Sequence, residues 1–348
     1  MSKKILIVGG VAGGASAAAR MRRLDESAEI IMFERGEYIS FANCGLPYYI
    51  GETIKEREAL LVQTPEAMKA RFNIDVRVNS DVAGIDVNSK KVTVNSSDRG
   101  TYEESYDYII LSPGAKPIAP PIKGIDSSRI YKLRNVPDTD KIKAVVDSKK
   151  ITSAVVIGGG FIGIETAENL KERGIKVTLV EAAPHILAPF DTEMAVIAEK
   201  ELNDHGVSLI LGNGVKGFEE TENNITVELN HGQNLLTDMV ILSIGVSPDT
   251  GFLRDSGINL GERGHILVDD SMQTNIEGVY AVGDAIMVKD YLHRTDVAIP
   301  LAGPANRQGR IAADNIAGLG RTYKGSLGTS ILKIFSMAAA STGNNERN

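Results

Sequence analysis

Two stretches of the chain share one pattern of apolar and polar positions. Residues 5–8 and 154–157 are short apolar runs, and each leads into a glycine-rich turn, at residues 9–14 and 158–163. An apolar run of this length bounded by glycines is typical of a buried strand, and the residues after each turn favour a helix. The pattern therefore predicts strand, turn and helix twice.

Each copy continues according to the same plan. Residues 72–108 and 207–236 alternate between apolar and polar positions separated by turn residues, which predicts antiparallel insertions. Strands at 108–111 and 238–245 then return to the sheet. The fold class expected from this repeat is α/β, with two doubly wound Rossmann-like domains that carry antiparallel β insertions.

The domain boundaries follow from the repeat. The first domain is discontinuous and comprises residues 1–115 and 246–321, and the second comprises residues 116–245. Pro117, Pro120 and Pro121 mark the linker between them.

The glycine turns are candidate dinucleotide sites. The second copy has all three glycines of the G-x-G-x-x-G pattern, Gly158, Gly160 and Gly163, whereas Val11 replaces the middle glycine between Gly9 and Gly14. Free N–H groups and the helix dipole favour a pyrophosphate at such a turn. A tight strand-to-helix connection without a ligand is the alternative, mainly for the first copy.

An acidic residue ends the second strand of each copy. Glu34 lies 25 positions after Gly9, and Glu181 lies 23 positions after Gly158, which suits a carboxylate that binds ribose hydroxyls. Glu181 would repel a 2′-phosphate, so NADH is favoured over NADPH unless a neighbouring Arg or Lys compensates.

Cys44 is the only cysteine among 348 residues, so no internal disulfide can form. Ser40 and Asn43 can cap a helix at this point, and Gly45 allows close backbone approach. A helix start stabilises a thiolate, which indicates a reactive thiol. The alternative is a small buried hydrophobe.

Composition limits the function classes. The formal net charge of −7 argues against nucleic acid or an anionic membrane as the main partner, and no apolar run reaches the length of a membrane span. A single cysteine fits a reducing cytoplasm. The five histidines share no ligand spacing, so no metal site is expected; they are His185, His205, His231, His265 and His293.

Polar positions also follow later strands. Residues 112–114 break a buried strand where a doubly wound sheet meets its ligand. Asp284 ends the apolar run that precedes it and would accept hydrogen bonds from a polyol, or cap the next helix. Residues 301–317 read as a helix entered through Pro300 and left at Gly318.

At this point the chain resembles the flavin-dependent pyridine nucleotide-disulfide oxidoreductases, and within them the branch of coenzyme A-disulfide reductases and NAD(P)H-dependent persulfide reductases. The resemblance covers essentially the whole chain, and its carriers are residues 9–16, 40–48, 60–65, 158–163, 280–284 and 303–310.

The resemblance implies FAD at the first turn, with Glu34 on its adenosine ribose and Asp284 on the ribityl chain, and NADH, or NADPH, at the second. The implied cofactor-binding positions are Gly9, Gly10, Val11, Ala12, Gly14, Glu34, Arg35, Ser112, Pro113, Gly114, Gly158, Gly160, Phe161, Ile162, Gly163, Glu181, Gly245, Gly283, Asp284, Pro300, Leu301 and Ala302.

The implied catalytic residues are Cys44, Asn43, Ser40 and Glu165, the last as an acid beside the nicotinamide. Phe161 corresponds to an aromatic gate over the flavin, with plain helix packing as the alternative.

Coenzyme A is implied as substrate or ligand, bound by Arg20, Arg23 and Gln63. Arg20 and Arg23 lie three residues apart on one helix face, and a solvated basic face is the alternative for them.

The implied activity passes electrons from NAD(P)H through FAD to Cys44, which reduces coenzyme A disulfide or a coenzyme A or other low-molecular-weight persulfide. Two-cysteine relatives use C-x-x-x-x-C, and Tyr49 occupies the second position, so the substrate must supply the second sulfur. An NADH oxidase or peroxidase is one alternative, although such relatives carry a histidine in the first glycine turn. A core with diaphorase activity alone is the other.

Residues 322–348 resemble the beginning of a C-terminal α+β interface domain, truncated here by about 100 residues. In relatives this domain forms a homodimer, and some relatives carry a rhodanese domain beyond it.

Overall fold

The computed structural model describes residues 2–346; residues 1, 347 and 348, which the predicted domain boundaries include, lie outside the described part. The helices are α1 Ala12–Leu24, α2 Leu46–Ile50, α3 Pro65–Phe72, α4 Val136–Asp147, α5 Phe161–Glu172, α6 Thr192–Asp204 and α7 Ala302–Ile316. The strands are β1 Lys4–Val8, β2 Glu29–Phe33, β3 Asp75–Arg77, β4 Ser80–Asp86, β5 Lys91–Ser96, β6 Gly100–Ser105, β7 Tyr108–Leu111, β8 Ala115–Pro117, β9 Ile130–Tyr131, β10 Ser153–Ile157, β11 Lys176–Val180, β12 Ser208–Ile210, β13 Val215–Glu220, β14 Ile225–Leu229, β15 Leu235–Thr237, β16 Met239–Leu242, β17 Val246–Pro248, β18 Ile266–Leu267, β19 Val279–Ala281, β20 Ile286–Lys289, β21 Asp296–Val297, β22 Ser330–Ile334 and β23 Met337–Ser341.

The first compact unit combines the residues up to Phe41, Leu61–Lys116 and Ser247–Gly328. Its main sheet has the order β19-β7-β1-β2-β3, and all of its strand pairs are parallel. The central strand β1 is almost wholly buried, as an apolar run covered on both faces requires. An antiparallel sheet, β4-β5-β6, forms the insertion.

The second unit combines Ala42–Leu60, Pro117–Val246 and the residues from Thr329 onward. Its main sheet has the order β12-β11-β10-β16-β9, again with parallel pairs. Strands β13, β14 and β15 form the antiparallel insertion, and β22 and β23 form a hairpin. The predicted fold class, two Rossmann-like α/β units with antiparallel insertions, is confirmed.

Two strands differ from the predicted insertions. β3 lies within residues 72–108 and β12 within residues 207–236, yet each pairs in parallel with the edge of a main sheet. Both have three residues, and such short edge strands lack the length over which an apolar and polar alternation could distinguish the two arrangements.

The predicted boundaries placed the segment Ala42–Leu60, which contains Cys44, in the first domain. In the structure this segment packs with the second unit instead. Arg57 forms a bidentate ion pair with Asp140 of α4, with Nη2 2.7 Å from Oδ2. Arg173 Nη1 donates to the carbonyl of Ile50 at 2.8 Å. These contacts join residues far apart in sequence, so local pattern could not locate the boundary.

None of the helices in the described range is both long enough and apolar enough to cross a membrane.

Candidate active site

The first glycine turn connects β1 to α1 in a conformation that requires glycine at its outer positions. Gly9 has φ +94°, and a Cβ on it would lie 2.0 Å from the carbonyl oxygen of Ser112. A Cβ on Gly14 would lie 1.9 Å from the carbonyl oxygen of Gly9. At the middle position Val11 has a negative φ of −96°, so this position does not need the left-handed backbone that favours glycine.

Glu34 follows β2 and is held at the edge of this turn. Its Oε2 accepts from Gly10 N–H at 2.9 Å, and its Oε1 accepts from Gly36 N–H at 3.0 Å. Two backbone donors fix the carboxylate, which retains further lone pairs for hydroxyl donors. The turn and acid thus fit the pyrophosphate and ribose of a dinucleotide.

The remaining first-unit positions lie on neighbouring elements. Ser112 N–H donates to Val8 at the end of the sheet, and Pro113 and Gly114 follow it. Arg35 pairs with Asp81 and Asp249. These residues line the carboxyl end of the parallel strands, where doubly wound sheets bind ligands.

Asp284 lies in a single 3₁₀ turn, Gly283–Ala285, after β19. Strand β20 follows, so the alternative role as a cap of the next helix is wrong. Gly283 has φ +82°, and its N–H donates to Oε1 of the buried Gln308 at 2.8 Å. Helix α7 begins at Ala302, after Pro300 and Leu301, and ends at Ile316, close to the prediction.

The second glycine turn repeats the first. A Cβ on Gly158, which has φ +109°, would lie 2.3 Å from Ser243 O, and one on Gly163 would lie 1.9 Å from Gly158 O. Gly160 differs, because its φ of −82° suits any residue and a Cβ there would meet no protein atom within 4 Å. Gly160 therefore leaves open space at the start of α5.

Glu181 is held like Glu34. Its Oε2 accepts from Gly159 N–H at 2.6 Å, and its Oε1 accepts from Ala183 N–H at 2.7 Å. Within residues 2–346, no Lys or Arg lies within 4.0 Å of this carboxylate to neutralise it. Gly245, with φ +115°, and Ile118 meet through a backbone hydrogen bond at the end of β16. Phe161 and Ile162 begin α5, half-buried and exposed respectively.

Cys44 is exposed, so the alternative of a small buried hydrophobe is wrong for this structure. It lies in a 3₁₀ turn, Asn43–Gly45, that continues directly into α2. Ala42 is the N-cap, without a side-chain hydrogen bond, so the predicted capping by Ser40 or Asn43 is also wrong.

Asn43 instead binds Arg134. In the amide orientation that matches donors to acceptors, Asn43 donates to the Arg134 carbonyl at 3.1 Å and accepts from its Nη1 at 2.8 Å. The residue before Cys44 is therefore anchored to the loop that precedes α4.

Two acids on α5 lie behind the Cys44 segment. Tyr48 Oη donates to Glu165 Oε1 at 3.3 Å. Burial is the main cause that raises the pKa of Glu165 to about 7, and the charge of Glu168 raises it further, against the lowering effect of the Tyr48 hydrogen bond. Burial, followed by the charge of Glu165, also raises the pKa of Tyr48.

Glu168, one helical turn further on, is fully buried. Its Oε1 pairs with Lys333 Nζ of β22 at 3.3 Å, while its Oε2 finds no hydrogen-bond donor among the described residues. Burial raises the pKa of Glu168, although the Lys333 hydrogen bond and charge lower it.

A pocket of about 310 Å³ lies in the first unit, between α1, α3 and α7. Its lining contains three arginines and no acidic residue, although the whole chain is acidic. The guanidinium carbons of Arg23 and Arg71 lie 5.4 and 5.2 Å from the centroid of the Phe72 ring. The polar lining residues are Ser16, Arg23, Ser40, Gln63, Arg71, Asn306 and Arg310.

This pocket brings together Arg23, Gln63 and Ser40 from the predicted site. Arg20 points elsewhere, because its Nε donates to Asp314 Oδ1 of α7 at 2.6 Å. Sequence reasoning did not include Arg71 and Arg310, which line the pocket, although Arg310 closes the 303–310 motif. It also missed Tyr48, which the four-residue spacing from Cys44 could have indicated.

Within residues 2–346, no group of three or more His, Cys, Asp or Glu side chains could hold a metal ion.

Comparison with known proteins places this geometry in a family. The profile of the pyridine nucleotide-disulphide oxidoreductases matches residues 3–309. The chain is 36% identical over 344 residues to a coenzyme A disulfide reductase of Staphylococcus haemolyticus, covering 98% of this chain and 76% of that protein.

Two solved structures are similar throughout. Reduced Bacillus anthracis CoADR-RHD is 54% identical with a TM-score of 0.97, over 100% of this chain and 62% of that chain. A NAD-dependent persulfide reductase from A. fulgidus is 33% identical with a TM-score of 0.95, over 99% of this chain and 64% of that chain. The chain thus spans less than two thirds of both solved proteins.

These matches confirm the resemblance drawn from the motifs, and the family implies FAD and NAD(P)H as cofactors. The chain belongs to the pyridine nucleotide-disulphide oxidoreductase family.

Proposed function

We propose that this protein is an NADH-dependent flavoprotein that reduces coenzyme A disulfide, or a coenzyme A or other low-molecular-weight persulfide, through Cys44. The observation that carries the proposal is the arginine-lined pocket, because Ser40 in its lining precedes the exposed Cys44 by four positions in sequence. The names of the similar proteins, coenzyme A disulfide reductase and persulfide reductase, support the same chemistry.

The first unit supplies the FAD site in this proposal. The outer glycines allow the tight turn between β1 and α1 whose free N–H groups would bind a pyrophosphate, Glu34 accepts from the adenosine ribose, and Asp284 accepts from the ribityl hydroxyls. When bound, FAD supplies the chemistry that takes a hydride from the nicotinamide and passes an electron pair to sulfur.

The second unit supplies the NADH site. Gly160 leaves the start of α5 open to a pyrophosphate, and Glu181 accepts from the ribose hydroxyls. Because the described residues place no Lys or Arg in ion-pair contact with Glu181, a 2′-phosphate would meet uncompensated negative charge, which favours NADH over NADPH. Glu165 lies on the same helix, α5, and is the acid that we place beside the nicotinamide.

Cys44 carries the sulfur chemistry. Its thiolate attacks one sulfur of the substrate, so that a mixed disulfide forms and the first thiol leaves; two electrons then reduce the mixed disulfide and restore the thiolate. Tyr49 occupies the position of a second cysteine, and no other cysteine exists in the chain. The substrate therefore supplies the second sulfur.

The pocket fits the phosphates of coenzyme A. Arg23, Arg71 and Arg310 offer three permanent charges, and guanidinium groups bind phosphate through paired hydrogen bonds. Gln63, Asn306 and Ser16 add neutral donors beside them. Such a lining distinguishes a phosphate-bearing thiol from small uncharged thiols.

The expected cytoplasmic location and homodimer belong to the same proposal. A lone exposed thiol in a chain without an internal disulfide suits a reducing compartment. Light scattering of the purified protein tests the dimer directly.

The test is Cys44→Ser in the flavin-loaded protein. We expect NADH-driven reduction of an artificial dye to persist, because it uses no protein sulfur, and turnover of coenzyme A disulfide and of persulfide to fall to background. Wild-type NADH oxidation with oxygen alone should be slow beside these substrates. A wild type that reduces oxygen fastest, or a Cys44→Ser variant that still reduces disulfide, refutes the proposal.

A further inference from the structure

Tyr48 connects the Cys44 segment to a half-buried acid, Glu165. It lies four residues after Cys44 in one continuous helical run, a spacing that places the two side chains on the same face. Its hydroxyl donates to Glu165 at 3.3 Å, and the negative charge of Cys44 is among the causes that raise its pKa. The phenol is therefore hydrogen-bonded to the carboxyl group and lies about one helical turn from the thiol in the chain.

Glu165 has the surroundings of an acid that keeps its proton. Among the described residues, Tyr48 from the helical run donates to it and Glu168 from its own helix acts on it through its charge, while Lys333 of β22 pairs with Glu168. Glu165 is thus half-buried beside a second acid, and burial together with the charge of Glu168 raises its pKa to about 7, although the Tyr48 hydrogen bond lowers it.

The overall reaction needs one proton from solvent. Reduction of a disulfide by NADH consumes one disulfide, one NADH and one proton, and yields two thiols and one NAD⁺. NADH brings a hydride, which is one proton and two electrons, so one of the two departing thiolates must be protonated by another source. A half-buried acid that titrates near neutral pH can hold that proton and release it at the sulfur.

We propose that Glu165 and Tyr48 form a relay that delivers this solvent-derived proton to the leaving sulfur at Cys44. The inference rests on the proposed function and adds a role for Tyr48. The step needs the Tyr48–Glu165 hydrogen bond reversed, so that the protonated carboxyl group donates to Tyr48 Oη. When the substrate S–S bond breaks, Tyr48 Oη then gives its proton to the leaving thiolate and takes the proton of the Glu165 carboxyl group. Glu165 then regains a proton from water, so that atoms and charges balance.

The chain offers a matched control for Tyr48→Phe. Tyr49 is the adjacent residue and is buried, with the Lys143 ammonium 5.3 Å from its ring centroid. Tyr49→Phe removes the same atom from the same helix without touching Glu165. Dye reduction by NADH should be unchanged in Tyr49→Phe; in Tyr48→Phe, dye reduction measures any effect on hydride transfer separately from the effect on sulfur.

We expect Tyr48→Phe to lower coenzyme A disulfide turnover by about 100-fold, the lower range for loss of a general acid, and to abolish most of the solvent isotope effect. Tyr49→Phe should match the wild type in both. The infrared band of a protonated carboxylic acid should be present at about neutral pH, should shift in Tyr48→Phe, and should be missing in Glu165→Gln.

The outcomes separate the two proposals. If the wild type turns over disulfide and Tyr48→Phe matches Tyr49→Phe, the relay is wrong and the proposed function stands. The same holds if the wild type turns over disulfide but shows no infrared band of a protonated Glu165 at about neutral pH. If the wild type reduces dye but neither sulfur substrate, the proposed function is wrong and the relay falls with it.

Discussion

Glu34 and Glu181 hold equivalent positions in the two units. Each carboxylate accepts a backbone N–H from the second glycine of its own turn, at 2.9 Å for Gly10 and 2.6 Å for Gly159. Each also accepts the N–H two residues further along the chain, at 3.0 and 2.7 Å. The repeated sequence pattern therefore produces a repeated ribose site, and the difference between the sites lies in the neighbouring residues.

Glu181→Gln should narrow the preference for NADH. The substitution removes the charge that a 2′-phosphate would meet, an interaction on the order of 1 to 2 kcal/mol for a partly exposed pair, or about tenfold in efficiency. Stopped-flow reduction of the bound flavin by NADH and by NADPH measures the ratio. Glu193→Gln, which removes an exposed charge on α6, should leave it unchanged. A wild type equally fast with NADPH contradicts the assignment.

Gly160→Ala and Gly158→Ala should fail in different ways. A Cβ on Gly160 meets no protein atom within 4 Å and its φ is −82°, so we expect a normal melting temperature with the Kd for NADH raised about tenfold by contact with the pyrophosphate. A Cβ on Gly158 would lie 2.3 Å from Ser243 O at φ +109°, which should cost about 1–3 kcal/mol of stability.

Isothermal titration with NADH and thermal unfolding read out both variants. Gly84→Ala is the control, since its Cβ also meets nothing within 4 Å and Gly84 lies in the antiparallel insertion. A Gly160→Ala protein that binds NADH like the wild type would show that the open space is not the pyrophosphate site.

Arg71→Gln should raise KM for coenzyme A disulfide by about tenfold, the effect of losing roughly 1.4 kcal/mol from a charge-assisted hydrogen bond. Pantethine, the disulfide without the nucleotide phosphates, should show no change, which distinguishes phosphate binding from a general defect. Arg99→Gln, an exposed arginine beside Asp98, is the matched control. An equal rise for both substrates argues against phosphate recognition in the pocket.

The parts of the site that sequence could predict are those set by local backbone. A backbone carbonyl oxygen excludes a Cβ at each of the four outer glycines, Gly9, Gly14, Gly158 and Gly163. The glycine motif in the sequence therefore predicts the geometry of both turns. The strand ends carry Glu34 and Glu181 for the same local reason. A fold built from two such copies follows from pattern alone.

The contacts that sequence could not predict join distant segments. Asn43 and Arg134 are 91 positions apart, and Glu168 and Lys333 are 165 positions apart. Arg20 shows the same limit, because helix spacing places it on the face of Arg23 while Asp314 of α7 takes its guanidinium. Which partner a long side chain selects depends on tertiary packing, and no local pattern encodes it.

Glu165→Gln should change how stability depends on pH. Burial raises the Glu165 pKa from 4.5 to about 7, so the folded protein holds a proton that the unfolded chain releases above pH 4.5. The stabilisation from this proton is complete below pH 4.5 and is lost as pH rises through about 7. As pH rises from 4.5 to above about 7, the free energy of unfolding of Glu165→Gln should therefore increase relative to the wild type by on the order of 1 to 2 kcal/mol, after allowance for the partial exposure of Glu165.

Urea unfolding of the flavin-loaded proteins at about pH 5 and pH 8 measures this gain. Glu172→Gln, at the exposed end of the same helix, is the control and should show no pH-dependent gain. Equal stability differences at both pH values would mean that Glu165 ionises like an ordinary surface carboxylate.

Lys333→Met should destabilise the protein more than its half-exposed position suggests. The Lys333 ammonium pairs with Glu168, whose side chain is fully buried and whose Oε2 has no hydrogen-bond donor in the described part of the chain. Removing the cation leaves a buried carboxylate without its charged partner. Because Lys333 itself is half-exposed, we expect a cost of about 1 to 3 kcal/mol, less than for a fully buried pair, whereas removal of both groups is often nearly neutral. We therefore expect Glu168→Gln to restore most of the lost stability when it is combined with Lys333→Met.

A double-mutant cycle by urea unfolding measures the coupling between Glu168 and Lys333, with Ile331→Met, at an exposed position on the same strand, as the control. Additive effects of the two substitutions would show that the hairpin and α5 are held by packing alone.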